Sequence, residues 1–209
     1  ESIPPERLLR ALLLQAFYSI RSERQLVERI EFDLLFRWFV GLGVDDPVPE
    51  PDRGGYQYWL AANLLEFTSD AYDTLVFDND GVRRKLPGYR VDALTDAAIR
   101  FVDQHQEEPF YLFLSFLEPH HQNSVDNYPA PYGRSLTSDI WLPPDLDTLR
   151  GTAPYHIGGY YGMVRRLDEA FGRLMDALRS LNLLDNTIVM FTSDHACHFK
   201  TRNDEYKRS

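Results

Sequence analysis

Acidic and histidine side chains follow two apolar segments of this chain. Residues 110–117 are followed by His120, and residues 187–191 are followed by Asp194 and His195. An aspartate offers a hard oxygen ligand and a histidine a borderline nitrogen ligand, so Asp194 and His195 are candidate ligands of a divalent cation. The His120 imidazole is a candidate general acid or hydrogen-bond donor to a substrate. The residue types alone equally allow plain loops that cap two strand ends.

The segments that position these residues have the composition of buried β-strands. Residues 110–117 read FYLFLSFL and residues 187–191 read TIVMF. Near-continuous apolar runs of this length are typical of parallel strands that are buried on both faces. An amphipathic helix over residues 90–104 precedes the first run, and a long helix over about residues 157–181 precedes the second. This alternation of helix and strand predicts an α/β fold with right-handed crossovers.

In α/β sheets, ligands bind just beyond the carboxyl ends of the strands. If the two apolar segments lie parallel in one sheet, with the long helix packed on its face, their ends point the same way. Strands lie about 4.8 Å apart, so strands two positions apart still bring their ends within about 10 Å. We therefore expect His120, Asp194 and His195 to face a common hollow at one rim of the sheet.

The first 48 residues have a different pattern, that of a helical hairpin. Apolar residues at three- and four-residue spacing predict one face of a first helix, formed by Leu8, Leu9, Leu12, Leu13, Ala16 and Phe17. Ser22 is a good N-cap for a second helix, whose apolar face would be Leu26, Ile30, Leu34 and Trp38. A stretch rich in proline, glycine and acidic residues follows. We place a junction at residues 49–53, between a segment of residues 1–48 and a domain of residues 54–209.

Composition restricts the partners and the location. The formal net charge is −10, and residues 1–50 contain six arginines and nine acidic residues. This balance is the wrong one for binding the phosphates of nucleic acid. No apolar run near the start is long enough to span a bilayer, and no signal-peptide pattern is visible. We therefore expect a soluble, cytoplasmic protein without a membrane partner. The single cysteine, Cys197, excludes an internal disulfide, and the sequence leaves the oligomeric state open.

Three segments, in order, resemble the sulfatase family of the alkaline-phosphatase superfamily. They are FYLFLSFLEPHHQ, YHIGGYYGMVRRLDEAFGRLMDALRSLNLLDNT and NTIVMFTSDHACHFKTRNDEYKRS. The first resembles the strand and Pro-His element of the family, and the second its long helix and turn. The third resembles an apolar strand that ends in Thr-Ser-Asp-His/Asn-Gly, with Ala196 in place of the glycine. The resemblance runs from about residue 54 to residue 209, and it implies an incomplete sulfatase-like α/β sheet with flanking helices.

The resemblance implies roles for four residues. Asp194 and His195 match calcium ligands, in a family where the ion helps to hold the sulfate oxygens and activates the nucleophile. His120 matches the histidine that contacts the ester side of the substrate. Lys207 matches a lysine that binds the sulfate group. The activity implied for an intact relative is the hydrolysis of sulfate esters, with phosphate or phosphonate esters as possible further substrates.

Other parts of the family's active site are absent from this sequence. Family members carry Cys-x-Pro-x-Arg or Ser-x-Pro-x-Arg, whose first residue becomes the formylglycine nucleophile, but the only cysteine here lies in Cys-His-Phe-Lys. A strand with two further aspartate ligands is also missing, as is an upstream lysine. A nucleophile acts as one unit with its partners, and two ligands hold a hard cation weakly. We therefore expect no sulfatase activity from this chain, and weak or absent calcium binding.

Residues 1–48 instead resemble the N-terminal helical domain of insertion-sequence transposases of the DDE type, most specifically in RSERQLVERI and LLFRWFVGL. Nothing after residue 48 resembles the catalytic domain of those enzymes. The two resemblances together imply a fusion of a transposase start with the interior of a sulfatase. The alternatives are a mobile-element remnant that contacts DNA or dimerises through its helices, and a fusion without a function. A helical hairpin that simply packs on the sheet is a further alternative.

Overall fold

The computed structural model describes residues 5–20, 22, 24–26, 36, 39–40, 47–48, 50–63, 65–122, 124–133, 135, 140–149 and 151–201. The chain divides into two compact units. The first unit comprises residues 1–69 and 75–85, and the second comprises residues 70–74 and 86–209. None of the helices in the described part is long and apolar enough to cross a membrane.

Helix α1, Pro5–Phe17, begins at a proline followed by Glu6, and both residues suit a helix start. It contributes Leu14 to a small core, which is formed by Leu14, Leu26, Phe36 and Val40. The predicted apolar face of this helix is wrong, because its large side chains are exposed: Leu8, Leu9, Leu12, Leu13 and Phe17. Leucines lie around most of this helix, so periodicity alone does not select the side that is buried.

The Ser22 side chain caps the turn that follows it, as predicted. Its Oγ accepts a hydrogen bond from the Gln25 N–H at 3.2 Å. Its carbonyl accepts one from the Leu26 N–H at 3.0 Å. These are the hydrogen bonds of a helix N-cap, so the predicted cap is confirmed. The remaining residues of the predicted second face lie outside the described residues: Ile30, Leu34 and Trp38.

A β-hairpin forms the only sheet in the part of the chain that the structure describes. It consists of β1, Thr74–Phe77, and β2, Arg83–Leu86, and the short helix α2, Leu65–Thr68, precedes it. Asp78 holds the turn, because its side chain accepts two backbone hydrogen bonds from within the turn. Gly81 has a φ of +72°, a left-handed conformation that glycine adopts without steric cost.

Arg53 ties the predicted junction to the turn of this hairpin. Its side chain is buried, and it donates hydrogen bonds to the Val48 carbonyl at 3.0 Å and to the Asn79 carbonyl at 2.8 Å. The first compact unit therefore continues through residues 49–53 instead of ending there. The boundary between residues 1–48 and residues 54–209 stays a prediction about the origin of the two sequences.

Two long helices form the centre of the second unit. They are α3, Arg90–Gln104, and α5, Ala153–Ser180, and the short helix α4, Pro144–Leu149, precedes α5. The long helices meet in two apolar clusters, formed by Val91, Leu167 and Ala170 at one end and by Phe101, Val102 and Leu178 at the other. The start of α3 packs against the middle of α5, and the end of α3 packs against the end of α5, so the two helices run parallel.

Residues 110–117 lie extended against these helices. Every second side chain is half-buried, and the side chains between them are exposed: Tyr111, Phe113 and Ser115. Phe110 packs in the cluster of Phe101 and Leu178, whereas Phe116 packs in the cluster of Val91 and Leu167. The segment therefore runs in the direction opposite to both helices.

Residues 187–191 also run back along α5. They follow the turn Leu184–Asn186, which lies near the end of the helix because Leu184 packs in the cluster of Leu178. At the far end of the segment, the Phe191 ring contacts the Phe171 ring in the middle of α5, at 5.3 Å between centroids. Both apolar segments thus run in the same direction, opposite to α5, which is the relative direction that parallel strands require.

The predicted pairing of these two segments in one sheet is nevertheless wrong for the described residues, where β1 and β2 make the only ladder. A strand forms only where a neighbouring backbone, about 4.8 Å away, exchanges hydrogen bonds with it. An apolar run predicts an extended, packed segment, but it does not supply that neighbour. Packing against the helices half-buries alternate side chains of residues 110–117, whereas residues 188–191 are all exposed. Neither segment is buried on both faces, so that prediction is wrong for the described residues.

Candidate functional site

The turn that carries His120 is fastened at both ends by Arg90, the first residue of α3. The Arg90 guanidinium forms a salt bridge with Glu118 at 2.7 Å, and both side chains are completely buried. The same guanidinium donates to Gln122 Oε1 at 3.2 Å, and the Gln122 N–H donates to the Asn127 carbonyl at 2.8 Å. Removing one partner of such a pair leaves an uncompensated buried charge. Arg90 therefore fixes the path of this turn.

His120 is half-buried within the turn. Its backbone N–H donates to the Leu117 carbonyl at 3.0 Å. Its Nδ1 lies within hydrogen-bond distance of the His121 carbonyl oxygen. A ring nitrogen that faces a carbonyl must carry the proton, so Nε2 is the basic nitrogen of the neutral ring. His120 can therefore accept a proton at Nε2, and it can donate one from Nε2 as the imidazolium.

Asp194 and His195 lie side by side on the late loop, residues 192–201. The Asp194 side chain is 85% exposed, and one of its oxygens lies 3.4 Å from His195 Nε2. Its other oxygen accepts the His195 backbone N–H at 2.8 Å. In the described part of the chain, no group of three or more His, Cys, Asp or Glu side chains could hold a metal ion. Calcium takes roughly six to eight oxygen ligands, so this pair by itself does not fit calcium.

The regions that follow the two apolar segments contact each other in an aromatic cluster that the sequence did not predict. This Tyr128 cluster consists of His121, Tyr128, His156, Tyr160 and Phe199. The Tyr128 ring lies at its centre, 5.2 Å from His121, 5.6 Å from His156 and 5.5 Å from Phe199 between ring centroids. His121 follows the first apolar segment and Phe199 follows the second, so Tyr128 joins the two regions.

Gly159 of α5 lets the backbone at Tyr128 come close to the helix. A Cβ atom at Gly159 would lie 2.4 Å from the Tyr128 carbonyl oxygen, well inside van der Waals contact. Glycine within a helix costs about 1 kcal/mol relative to alanine. A glycine in the interior of a long helix is therefore the sequence signal that could have indicated a close backbone contact here.

The late loop is fastened to the first turn of α5. The Phe199 carbonyl accepts hydrogen bonds from the Thr152 N–H at 2.7 Å and from the Thr152 hydroxyl at 3.2 Å. The first N–H groups of a helix have no acceptor within the helix, and this carbonyl supplies one. Gly151 leaves the space for it, since a Cβ there would lie 2.2 Å from the same carbonyl oxygen.

Burial changes the titration of two groups in this region. It lowers the pKa of His156, and the neighbouring His121 lowers it further. Burial raises the pKa of the Cys197 thiol, although a hydrogen bond with Tyr128 opposes the shift. Nucleophilic cysteines react as thiolates. A thiol held in its protonated form is a poor nucleophile, which agrees with the absence of a nucleophile motif around Cys197.

Asp194 and His195 lie side by side on the late loop, and their role as metal ligands stays a prediction. His120 bonds within its own turn, and the contact between the two regions runs through His121 and Tyr128. The hollow predicted to join His120 with Asp194 stays a prediction. Lys207 lies outside the described residues. Tyr128 and His156 were missed because their neighbours are far apart in the sequence, so no local pattern indicates them.

Two family models match parts of this chain. The family model described as Sulfatase matches residues 30–208, and the model described as Transposase domain (DUF772) matches residues 1–53. The ulvan-active sulfatase of Formosa agariphila is 31% identical over 152 residues, which are 70% of this chain and 29% of that protein. The uncharacterized sulfatase YdeN of Escherichia coli is 31% identical over 153 residues, 70% of this chain and 23% of that protein.

The fold comparison agrees with the sequence comparison. The crystal structure of the sulfatase-like protein YidJ from Bacteroides fragilis has a TM-score of 0.58 at 23% identity, over 76% of this chain and 36% of that one. This similarity confirms the predicted fold class, an incomplete sulfatase-like α/β fold. The chain spans 29% and 23% of the length of the two curated relatives. Because the sulfatase model matches residues 30–208, well over half of the sequence, the chain belongs to the sulfatase family.

Proposed function

We propose that this chain is a partial sulfatase domain, related to enzymes that hydrolyse sulfate esters but inactive by itself. One observation carries the proposal: Asp194 and His195 form an exposed pair that the other described residues do not complete into a metal site. The 209 residues also contain neither Cys-x-Pro-x-Arg nor Ser-x-Pro-x-Arg. Loss of a nucleophile that works as a unit with its partners removes nearly all catalysis.

Within this proposal, four residues keep the roles implied by the resemblance. Asp194 and His195 would supply two of the ligands of a complete calcium site, where a bound calcium would contribute Lewis-acid chemistry. His120 contacts the ester side of a substrate, and its Nε2 is the nitrogen that acts, because Nδ1 faces the His121 carbonyl. Lys207 binds the sulfate group. Arg90 holds the turn of His120 through Glu118, so it positions His120 without touching a substrate.

The test is the hydrolysis of a chromogenic aryl sulfate by the full chain, with and without calcium. We expect no turnover above the uncatalysed rate in either condition, since no residue can form the covalent intermediate. An intact member of the family, assayed in the same buffers, serves as the positive control. Turnover well above background that disappears in His120→Ala would overturn the proposal of inactivity.

Calcium binding is tested separately, by calorimetric titration of the chain. We expect a Kd of about 1 mM or weaker, because two ligands leave most of the coordination of calcium to water. Asp194→Asn should abolish the remaining binding. Asp185→Asn removes another exposed carboxylate, in the turn Leu184–Asn186, and should leave it unchanged. Micromolar binding that survives Asp194→Asn would show that calcium binds elsewhere in the chain.

A second candidate function is that of a transposase-derived remnant, which the match of residues 1–53 to a transposase domain favours. The net charge of −10 opposes it, because DNA binding relies on neutralising phosphates. Fluorescence anisotropy with a labelled duplex at low salt distinguishes the two. We expect no binding, whereas binding that weakens steeply as salt rises would favour the second candidate. Transposon ends beside codon 50, with a Cys-x-Pro-x-Arg coding region nearby, would establish a fusion.

A further inference from the structure

Residues 110–117 have the composition of a strand that is buried on both faces, but the structure covers only one of its faces. The run FYLFLSFL contains no charged residue, and such runs are typical of strands in sheets that carry helices on both sides. In the structure, Tyr111 is 72% exposed and Phe113 is 67% exposed. Together with the exposed Ser115, these side chains form what we call the outer face of the segment.

The inner face of the same segment is held at several points. Phe110 and Leu112 pack in the cluster at the ends of α3 and α5, and Phe116 packs in the cluster at the start of α3. Directly after the segment, Glu118 forms its buried salt bridge with Arg90. The outer face is therefore presented on an ordered segment, which lowers the entropy that a partner loses on binding.

The extent of the fold indicates what covers the outer face. The chain aligns with only 36% of YidJ, so most of that fold is not matched by this chain. In α/β folds, helices pack on both faces of the sheet, whereas in the described part of this chain α3 and α5 cover the inner face and the outer face is exposed. No ladder in the same part of the chain includes the segment, and extended backbone can accept an added strand.

We propose that residues 110–117 are a docking surface for the part of a sulfatase domain that this sequence does not contain. That part adds a strand beside the segment and an apolar layer over its outer face. The inference rests on the proposed function, because it takes the chain to be a partial sulfatase domain.

The experiment mixes the full chain with the part of YidJ that does not align with it, produced as a separate polypeptide. The piece of YidJ that does align with this chain serves as the positive control. We expect a complex with one copy of each polypeptide in sedimentation velocity. Tyr111→Glu/Phe113→Glu should weaken it at least ~100-fold, because it places two carboxylates in an apolar contact.

The matched control is Arg100→Glu, which changes the net charge by the same amount at an exposed position of α3. It should leave the complex intact. A YidJ part that binds its own piece but not this chain would overturn the proposal. Equal binding by the original chain and by Tyr111→Glu/Phe113→Glu would overturn it as well.

Hydrogen exchange of the chain alone gives a second readout. The amides of residues 110–117 should exchange faster than those of α3, and they should gain protection when the YidJ part is added. Strong protection in the isolated chain would contradict the proposal, and protection that rises with its concentration would assign the surface to a second copy instead. The assay on aryl sulfate uses this chain alone, so each of these results leaves the proposal of inactivity to its own test.

Discussion

Gly159 and Gly172 lie on the same helix, α5, in opposite surroundings. A Cβ at Gly159 would lie 2.4 Å from the Tyr128 carbonyl oxygen, whereas a Cβ at Gly172 would have no atom within 4 Å. We expect Gly159→Ala to destabilise the chain by about 1–3 kcal/mol through overpacking. Gly172→Ala should stabilise it by about 0.5–1 kcal/mol, because alanine is the better helix former. Urea unfolding of both variants measures this, and equal effects would mean that the contact with Tyr128 is not made.

His156 makes the stability of the second unit depend on pH. Burial holds the pKa of His156 below the ordinary histidine value of 6.5, His121 and Lys200 act in the same direction, and Asp126 opposes them. Between the lowered pKa and 6.5, the unfolded chain binds more protons than the folded one. Stability is therefore full above about pH 6.5 and is lost as the pH falls through the lowered pKa.

His156→Gln should remove this part of the pH dependence, and urea unfolding at several pH values between 5 and 8 measures it. His105→Gln is the matched control, because His105 stacks on Phe101, away from the Tyr128 cluster. It should leave the slope between pH 5 and 7 nearly unchanged. A slope that is the same in both variants and in the original chain would assign the pH dependence to other groups.

At the scale of residues, the sequence gives candidate roles for single residues, which stay predictions, but it does not indicate how distant residues pack together. The candidate roles of Asp194 and His195 came from residue type and from the motif around them, and the structure places them side by side. The Tyr128 cluster was not predicted, because members such as Tyr128 and Phe199 lie far apart in the sequence. Contacts between distant residues form only once α5 is in place, and they leave no local pattern.

At the scale of elements, the two long helices were predicted well, whereas the two apolar segments do not pair as strands in the described residues. Helix α3 has the predicted bounds, and α5 begins a turn earlier than predicted. A helix forms its backbone hydrogen bonds within one segment, so its hydrophobic periodicity can be read from that segment alone. A strand depends on a neighbour. Residues 110–117 and 187–191 therefore have the predicted direction, but they are not buried on both faces as predicted. No ladder in the described part of the chain includes them.

The junction at residues 49–53 offers a test at this scale. Composition predicts an exposed linker that proteases cut first, whereas Arg53 holds this stretch to the hairpin turn. We expect Arg53→Ala to speed cleavage by proteinase K within residues 45–55, as read by mass spectrometry of the fragments. Arg84→Ala removes an exposed arginine of the same hairpin, paired with Asp78, and should not change the cleavage there. Equal cleavage in all three chains would show that Arg53 does not anchor the junction.

At the scale of the whole molecule, the family matches and the compact units divide the chain at different residues. The two family matches overlap between residues 30 and 53. The first compact unit joins the transposase-like start to residues 54–69 and 75–85, which belong to the sulfatase match. Sequence resemblance reflects ancestry, whereas the compact units reflect which parts of the chain pack against each other. A contact such as that of Arg53 with the hairpin turn can arise after two sequences are joined. The boundaries of the family matches therefore do not predict the boundaries of the compact units.

Because the Phe199 carbonyl is hydrogen-bonded to Thr152 at the start of α5, the segment before Phe199 must span the length of this helix. With 28 residues, α5 is about 42 Å long. The chain leaves the turn Leu184–Asn186 near the end of this helix and must reach Thr152 at its start by Phe199. Residues 187–199 can reach about 40 Å when fully extended. The segment therefore has little slack, and this short contour favours an extended path for residues 187–191 along α5.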